Sequence, residues 1–320
     1  MLPQLFRAMD PADDLAWLAV ADWLEENGET GRAELVRLTR CLRHETPGKE
    51  RTRREERLIA LLAAGVEPCA ATLTNSIGME FVFIPAGTFR MGSPPKEANR
   101  GGDEGPLHEV EITRGFFLGK YPVTQAEYQV IMAMNPSHFS TTGKGKRMVK
   151  GADTGRFPVE SVTYREAKAF CKQLGGQAEE KKQSRLYRLP TEAEWEYSCR
   201  AGIGSKPYYF GKSLVVGLAN YLQRKARMPA PVGSYPPNAF GLHDMHGTVW
   251  EWCADWYKDE YYESSPRSDP AGPDRGGVRV TRGGSWAEPA SFCRSATRGI
   301  NPPDWRNNEL GFRVCFGLSI

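Results

Sequence analysis

The residues with the widest chemical range in this 320-residue chain are its seven cysteines and five histidines. Cys41, Cys69, Cys171, Cys199, Cys253, Cys293 and Cys315 are scattered, odd in number and never spaced C-x-x-C. That pattern is neither a disulfide framework nor a zinc module, and reduced, mostly buried thiols are expected. Cys293, in GGSWAEPASFCRSATR (283–298), is the candidate catalytic thiol. A working thiol needs a neighbouring base, and no histidine stands near it in sequence. The competing reading, which is favoured here, is a small packed residue. His243-Asp-Met-His246 could share a metal on a helix, but this is a Gly-bounded loop without an obvious third nitrogen or sulfur ligand. The same run, DMHGTVWE, offers the carboxylates of Asp244 and Glu251 and the carbonyls of Gly247 and Val249. Hard oxygen donors in a tight loop suit Ca²⁺, so these four are the candidate metal ligands.

The bulk numbers bound the rest. Eight Trp, 12 Tyr and 14 Phe within 40% hydrophobic residues can bury a sizeable core. Net charge is 42 − 39 = +3, which gives no argument for a nucleic-acid or anionic-membrane partner. The basic runs KERTRREER (49–57) and KGKR (144–147) read as solvated surface. No apolar run reaches the ~20 residues of a membrane span. The first residues turn acidic early and carry neither an apolar core nor a cleavage pattern, so a cytoplasmic location is expected.

The elements that must position these groups fall into two parts. Residues 1–70 read as three helices forming a small all-α domain. Asp10 is the expected first cap, with Pro11 at the first helical position and Leu15, Leu18, Ala19 and Trp23 as the inner stripe. A second helix runs from about Thr30 to Arg43 and a charged third one over roughly 48–64. From about residue 75 to 320 the texture is α+β. MEFVFIPAGTFRMGS signals a β-hairpin around Pro85-Ala86-Gly87. Thr124–Glu127, Thr163–Glu166 and Thr191–Glu194 fit the capping box, in which hydroxyl and carboxylate satisfy each other's orphan N–H groups. Long loops rich in Gly, Pro and aromatics follow, and such loops are usually functional or stapled by an ion.

FIPAGTFRMGS, YPVTQAEY, FPVESVTYREAKAFC, YRLPTEAEWEYSCRAG, FGLHDMHGTVWEW, TRGGSW and GFRV occur in this order. The set resembles the formylglycine-generating-enzyme, or sulfatase-modifying-factor, family over about 75–320. The resemblance implies an irregular, C-type-lectin-like α+β fold with few regular elements. ADWLEENGETGRAELVRL before it resembles a short helical repeat-companion domain of planctomycete proteins, which has no established chemistry.

Members of the family include copper oxidases that convert a sulfatase cysteine to formylglycine. Others are iron-dependent sulfoxide synthases, and others again are ligand-binding receptors, some diversified by retroelements. The oxidase pattern implies two thiolates, because soft sulfur ligands select Cu(I). Counted from GGSW they would fall at 288 and 293, where Glu288 and Cys293 stand. Counted back from CRSATR, Cys293 lies outside the pair. Either register leaves at most one thiolate, so copper is not expected. The iron members' His-x3-His-x-Glu helix is missing too, since residues 1–70 hold only His44. The family's structural calcium uses the positions of Asp244, Gly247, Val249 and Glu251. Its second calcium loop is altered after Asn220-Tyr221, where Arg224, Lys225 and Arg227 would face the ion.

In the family, the segment 286–310 is where substrate peptides or receptor ligands bind. Glu288, Ser291, Phe292, Thr297, Ile300 and Trp305 are its exposed-type residues, and Trp305-Arg306 resembles an interface hot spot. Arg294, Ala296 and Arg298 read as framework. The expectation is therefore a non-catalytic module binding a peptide or protein, with residues 1–70 as a possible partner-binding unit. The alternatives are an oxygen-dependent oxidase with an altered site and a retroelement-diversified receptor.

Overall fold

The computed structural model describes residues 10–204, 206–223 and 227–317. Three helices come first: α1 (Asp14–Glu26), α2 (Thr30–Leu42) and α3 (Lys49–Ala63). The cap of α1 is Asp13, three residues later than expected, because Pro11 and Ala12 form a turn on Asp10 instead. The buried stripe of α1 also differs from the expected one. Trp17, Val20, Ala21 and Leu24 face inward, whereas Leu15 is 75% exposed and Leu18 42%. Both sets are spaced for one helix face, and the larger surface of Trp17 goes inside.

A four-stranded antiparallel sheet is ordered β1 (Thr72–Thr74), β2 (Glu80–Ile84), β5 (Phe116–Gly119) and β10 (Cys315–Gly317). Strands β3 (Gly87–Met91) and β4 (His108–Ile112) pair separately. The expected β2–β3 hairpin therefore does not form. Past Pro85 the chain leaves the first sheet, and the Thr88 N–H donates to the Arg43 carbonyl at 3.1 Å. Arg43 Nε donates to Ala86 O at 2.9 Å, so the end of α2 holds this crossing.

Helices α4 (Gln125–Met132), α5 (Tyr164–Gly175) and α7 (Glu192–Arg200) begin at Thr124, Thr163 and Thr191, each with its complete capping box. A short α6 (Ala178–Lys182) lies between the last two. The second large sheet is ordered β8 (Gly299–Asn301), β7 (Arg279–Arg282), β6 (Trp250–Trp256) and β9 (Leu310–Phe312), with β6 and β9 parallel. Among the described residues, no helix is long and apolar enough to cross a membrane.

Period-2 alternation sends the first sheet's side chains into two cores. Phe81, Phe83, Phe117 and Phe316 join Trp17, Val20 and Leu24. Val82, Ile84, Phe116 and Cys315 join Leu35, Leu42, Leu58 and Leu61. The helices thus share both cores with the sheet. Polar ties reinforce this: Glu55 Oε1 accepts from Gly204 N at 3.1 Å, and Arg51 Nη2 donates to Gly202 O at 3.0 Å. Leu42→Ala is expected to cost about 2–5 kcal/mol and to leave one cooperative transition by helical and tryptophan signals alike. A helical signal melting alone in a denaturant titration would refute the shared core.

Candidate functional site

Strand β7 is followed by Gly283-Gly284, at φ +99° and +76°. The left-handed turn drops Gly284 onto Cys293, where an added Cβ would stand 2.5 Å from the sulfur. Cys293 is wholly buried with Tyr208, Leu214 and Ala219, and its thiol donates to Pro289 O at 3.9 Å. Burial pushes its thiol far above the ordinary range, and the Glu288 charge adds to the effect. Among the described residues, no basic side chain hydrogen-bonds the sulfur; the nearby His246 ring bonds the Cys293 backbone instead. Glu288 is half-buried and accepts from the Trp250 side chain; burial and the nearby Glu309 carboxylate raise its pKa. Ser285 Oγ donates to Glu309 Oε2 at 2.8 Å. This acidic, sulfur-poor set does not fit copper. Cys253 and Cys315 are fully buried in the core with raised thiol pKa values and bring no second sulfur to Cys293.

The predicted ligand residues divide into two groups. Glu288, Ser291 and Phe292 lie around a short turn of 3-10 helix, Ala290–Cys293, with Phe292 48% exposed. Trp305, 51% exposed, and Arg306 lie in the loop before β9. Thr297 is a correction: it is buried, its hydroxyl donates to Ser291 O at 3.4 Å, and its carbonyl accepts from Arg282. Arg294 and Arg298 are framework, as their pattern suggested. Arg294 pairs with Glu97 at 2.7 Å and Glu104 at 2.5 Å, and Arg298 with Glu192 at 2.8 Å.

Beside the second group lies a surface cleft of about 530 Å³. Two loops supply its walls: Arg306, Asn307 and Asn308 from before β9, and Ser137, His138 and Lys144 from after α4. Sequence reasoning missed that second wall, although NPSHFSTTGKGKR carried a signal in its paired glycines around a lysine. Trp286 ties the two loops together, edge-on to Phe139 at 5.4 Å and donating from Nε1 to Asn308 O at 3.1 Å. Glu160 ties the walls from below. Its carboxylate accepts from Phe139 N at 2.7 Å and from Ser161 Oγ at 2.7 Å, and Ser161 lines the cleft.

In the predicted calcium loop, Asp244 sits at φ +58° and is buried. Its Oδ2 accepts from Gly233 N at 2.7 Å, while Oδ1 has no partner. Burial raises its pKa to about 6. An orphaned buried carboxylate oxygen is what a bound cation would satisfy. Glu251 departs from the expectation, because it is engaged by Arg313 at 3.0 Å and by Trp195 Nε1 at 2.7 Å. The donor set therefore fits a cation at Asp244, with Glu251 already neutralised. His246 is no ligand either: its ring is buried on Tyr209 and takes a hydrogen bond from Tyr209 N at 3.2 Å. Burial lowers its pKa to about 3. Among the described residues, no three His, Cys, Asp or Glu side chains gather as a metal site. Of the second loop, Arg224 and Lys225 lie outside the described residues, while Asn220 O accepts from Thr248 N at 2.6 Å.

Residues 70–317 match the sulfatase-modifying factor enzyme 1-like domain. The chain belongs to that family. It is 33% identical over 307 residues to the formylglycine-generating enzyme of Streptomyces coelicolor, covering 78% of this chain and 93% of that one. It is 27% identical over 300 residues to the inactive C-alpha-formylglycine-generating enzyme 2 of Bos taurus, covering 77% and 90%. Among solved structures, PvdO from Pseudomonas aeruginosa superposes with a TM-score of 0.66 at 32% identity, over 77% and 98% of the two chains. The family domain begins at residue 70, and the three helices precede it.

Burial raises the Glu160 pKa from 4.5 to about 7, against hydrogen bonds from Phe139, Ser161 and His138. Between those values the folded chain binds more protons than the unfolded one. Its contribution to stability is therefore complete below about 4.5 and lost as pH rises through about 7. Glu160→Gln is expected to flatten that part of the profile. Parallel melting curves for both proteins from pH 4.5 to 7.5 would reject this assignment.

Proposed function

We propose that this chain is a non-catalytic member of the sulfatase-modifying factor family that binds a peptide or protein ligand. The observation that carries the reading is Glu288 standing where one of the two expected sulfurs would be, together with a Cys293 thiol sealed beneath Gly284. A Cu(I) oxidase needs thiolates that reach an open metal position, and a protonated, buried thiol supplies none. What remains is a cleft lined by two loops, edged by Arg306, with an exposed Trp305 beside it in the chain. Aromatic and arginine side chains beside a concave surface are the usual anchors of protein recognition. Glu288, Ser291 and Phe292 extend the ligand surface along the same C-terminal segment.

Calcium is the cation that suits the 244–251 loop, where Asp244 and the carbonyls of Gly247 and Val249 would hold it. When bound, it would neutralise the buried Asp244 charge and stiffen the loop. The three helices would serve a protein partner through the outer face of α1, which exposes Leu15 and Leu18.

The enzyme reading is favoured by the identity to the Streptomyces coelicolor protein. Cu(I) titration and oxygen uptake with a cysteine-containing peptide separate the two. The binding module is expected to take up no stoichiometric Cu(I) and to consume no oxygen above background. Stoichiometric Cu(I) that is lost in Cys293→Ala would establish the oxidase instead. Calcium at about 100 times its dissociation constant is expected to add about 2.7 kcal/mol of stability. Asp244→Ala should abolish that gain, and a calcium-independent melting temperature in the parent protein would remove calcium from the picture.

A further inference from the structure

We infer that the ligand of the cleft is an acidic peptide segment, whose Asp or Glu carboxylates pair with Lys144 and Arg306. The inference rests on the binding reading above and names the chemistry of its partner. The wall segment 135–156 carries Lys144, Lys146, Arg147, Lys150 and Arg156 against a single acid, Asp153. Lys144, Lys146 and Arg147 are exposed, and none has an ion pair with a described residue. From the other lining loop, Arg306 gives one N–H to Glu166 Oε1 at 3.0 Å and has further donors available. An unpaired lysine and an arginine with donors to spare beyond its Glu166 pair, lining one cleft, select anionic groups.

The cationic wall is also built in advance. Lys144 stands between Gly143 and Gly145, and both glycines are required by close approach. A Cβ at 143 would lie 2.3 Å from the carbonyl oxygens of Ser137 and His138, and one at 145 would lie 2.5 Å from the His138 ring. Gly145 N donates to His138 O at 2.8 Å, which closes the turn against the wall. A charge presented on a fixed turn loses little entropy when it meets its partner. Asn308 adds a neutral amide at the opposite wall, suited to the peptide groups between acidic side chains.

A nucleic acid would need a longer cationic track for its regularly spaced phosphates. Here the track is interrupted beside Arg306 by the carboxylates of Glu166 and Asp304, the latter paired with Arg165 at 3.0 Å. Separate carboxylates on a peptide can use the two cations without running past those acids.

The test is selection of random displayed dodecapeptides on the full chain, followed by affinity measurement of synthetic copies at low and high salt. The same selection is run on Lys144→Glu/Arg306→Glu and on Lys144→Gln, which keeps the stem and loses the charge. Peptides rich in Asp and Glu, bound at least ~10-fold more weakly by the double variant and weakened by salt, are expected. A smaller loss of affinity in Lys144→Gln at unchanged melting temperature would tie the effect to charge and not to folding. Peptides without acidic bias, unaffected by either variant, would overturn the acidic class and leave the binding function standing. No enriched peptide at all would overturn both. A twelve-residue oligothymidylate that displaces the peptides and binds more tightly would overturn the peptide in favour of nucleic acid.

Discussion

One guanidinium organises the functional end of this molecule. Arg282 closes β7, is fully buried, and pairs with Glu196 of α7. Its Nη1 donates to the carbonyls of Ala296 and Thr297 and its Nη2 to that of Ser295, while Nε lies 3.9 Å from Glu192 Oε1. A helix, a strand and three consecutive residues of an irregular loop are thereby fixed by one side chain. A buried charge without its partner costs about 3–5 kcal/mol, so the loop has few other places to go. Arg298 with Glu192, Arg294 with Glu104 and Arg313 with Glu251 repeat the device around it. These pairs need not add net stability over an apolar core, since desolvation offsets much of their attraction. What they supply is geometry in a region with few backbone ladders.

That frame explains the fate of Cys293. Arg294 on its C-terminal side is drawn under Glu97 and Glu104, and Gly284 closes over the sulfur from β7. The thiol is carried inward with its neighbours and left in an apolar nest with no cation to ionise it. Arg306 lies beyond the frame, where the chain returns to the surface before β9. The proposed binding face is a cleft lined by two loops, one tied by the half-buried Trp286 and the other by the buried Glu160.

The N-terminal helices belong to the same mechanical unit. Trp17 and Leu24 enter one core of the first sheet while Leu42 and Leu58 enter the other. Removing them would uncover both faces near β2, and apolar surface of that size carries ~25 cal/mol per Å². The helices therefore support the sheet from which the long loops depart.

Much of this was legible from residue order alone. The three Thr–Glu capping boxes form at the predicted positions because their hydrogen bonds are local and need only four residues. The ordered motifs specified the family and its α+β class, and the absence of a second cysteine near Cys293 is a fact of sequence. Long-range competition decided the rest. Leu15 and Leu18 are as apolar as the side chains that displaced them, and the inward face of α1 was chosen by Trp17 meeting a sheet. β2 and β3 look like a hairpin until β5 and the carbonyl of Arg43 claim their edges. Thr297 resembles a surface residue and is buried because Arg282 holds its carbonyl; Glu251 resembles a free ligand and is held by Arg313. Lys144 reads as ordinary solvated charge until the fold sets it on the same cleft as Arg306. Local hydrogen bonding and residue inventory are written in the sequence, whereas burial and charge pairing are settled by which distant groups the fold brings within reach.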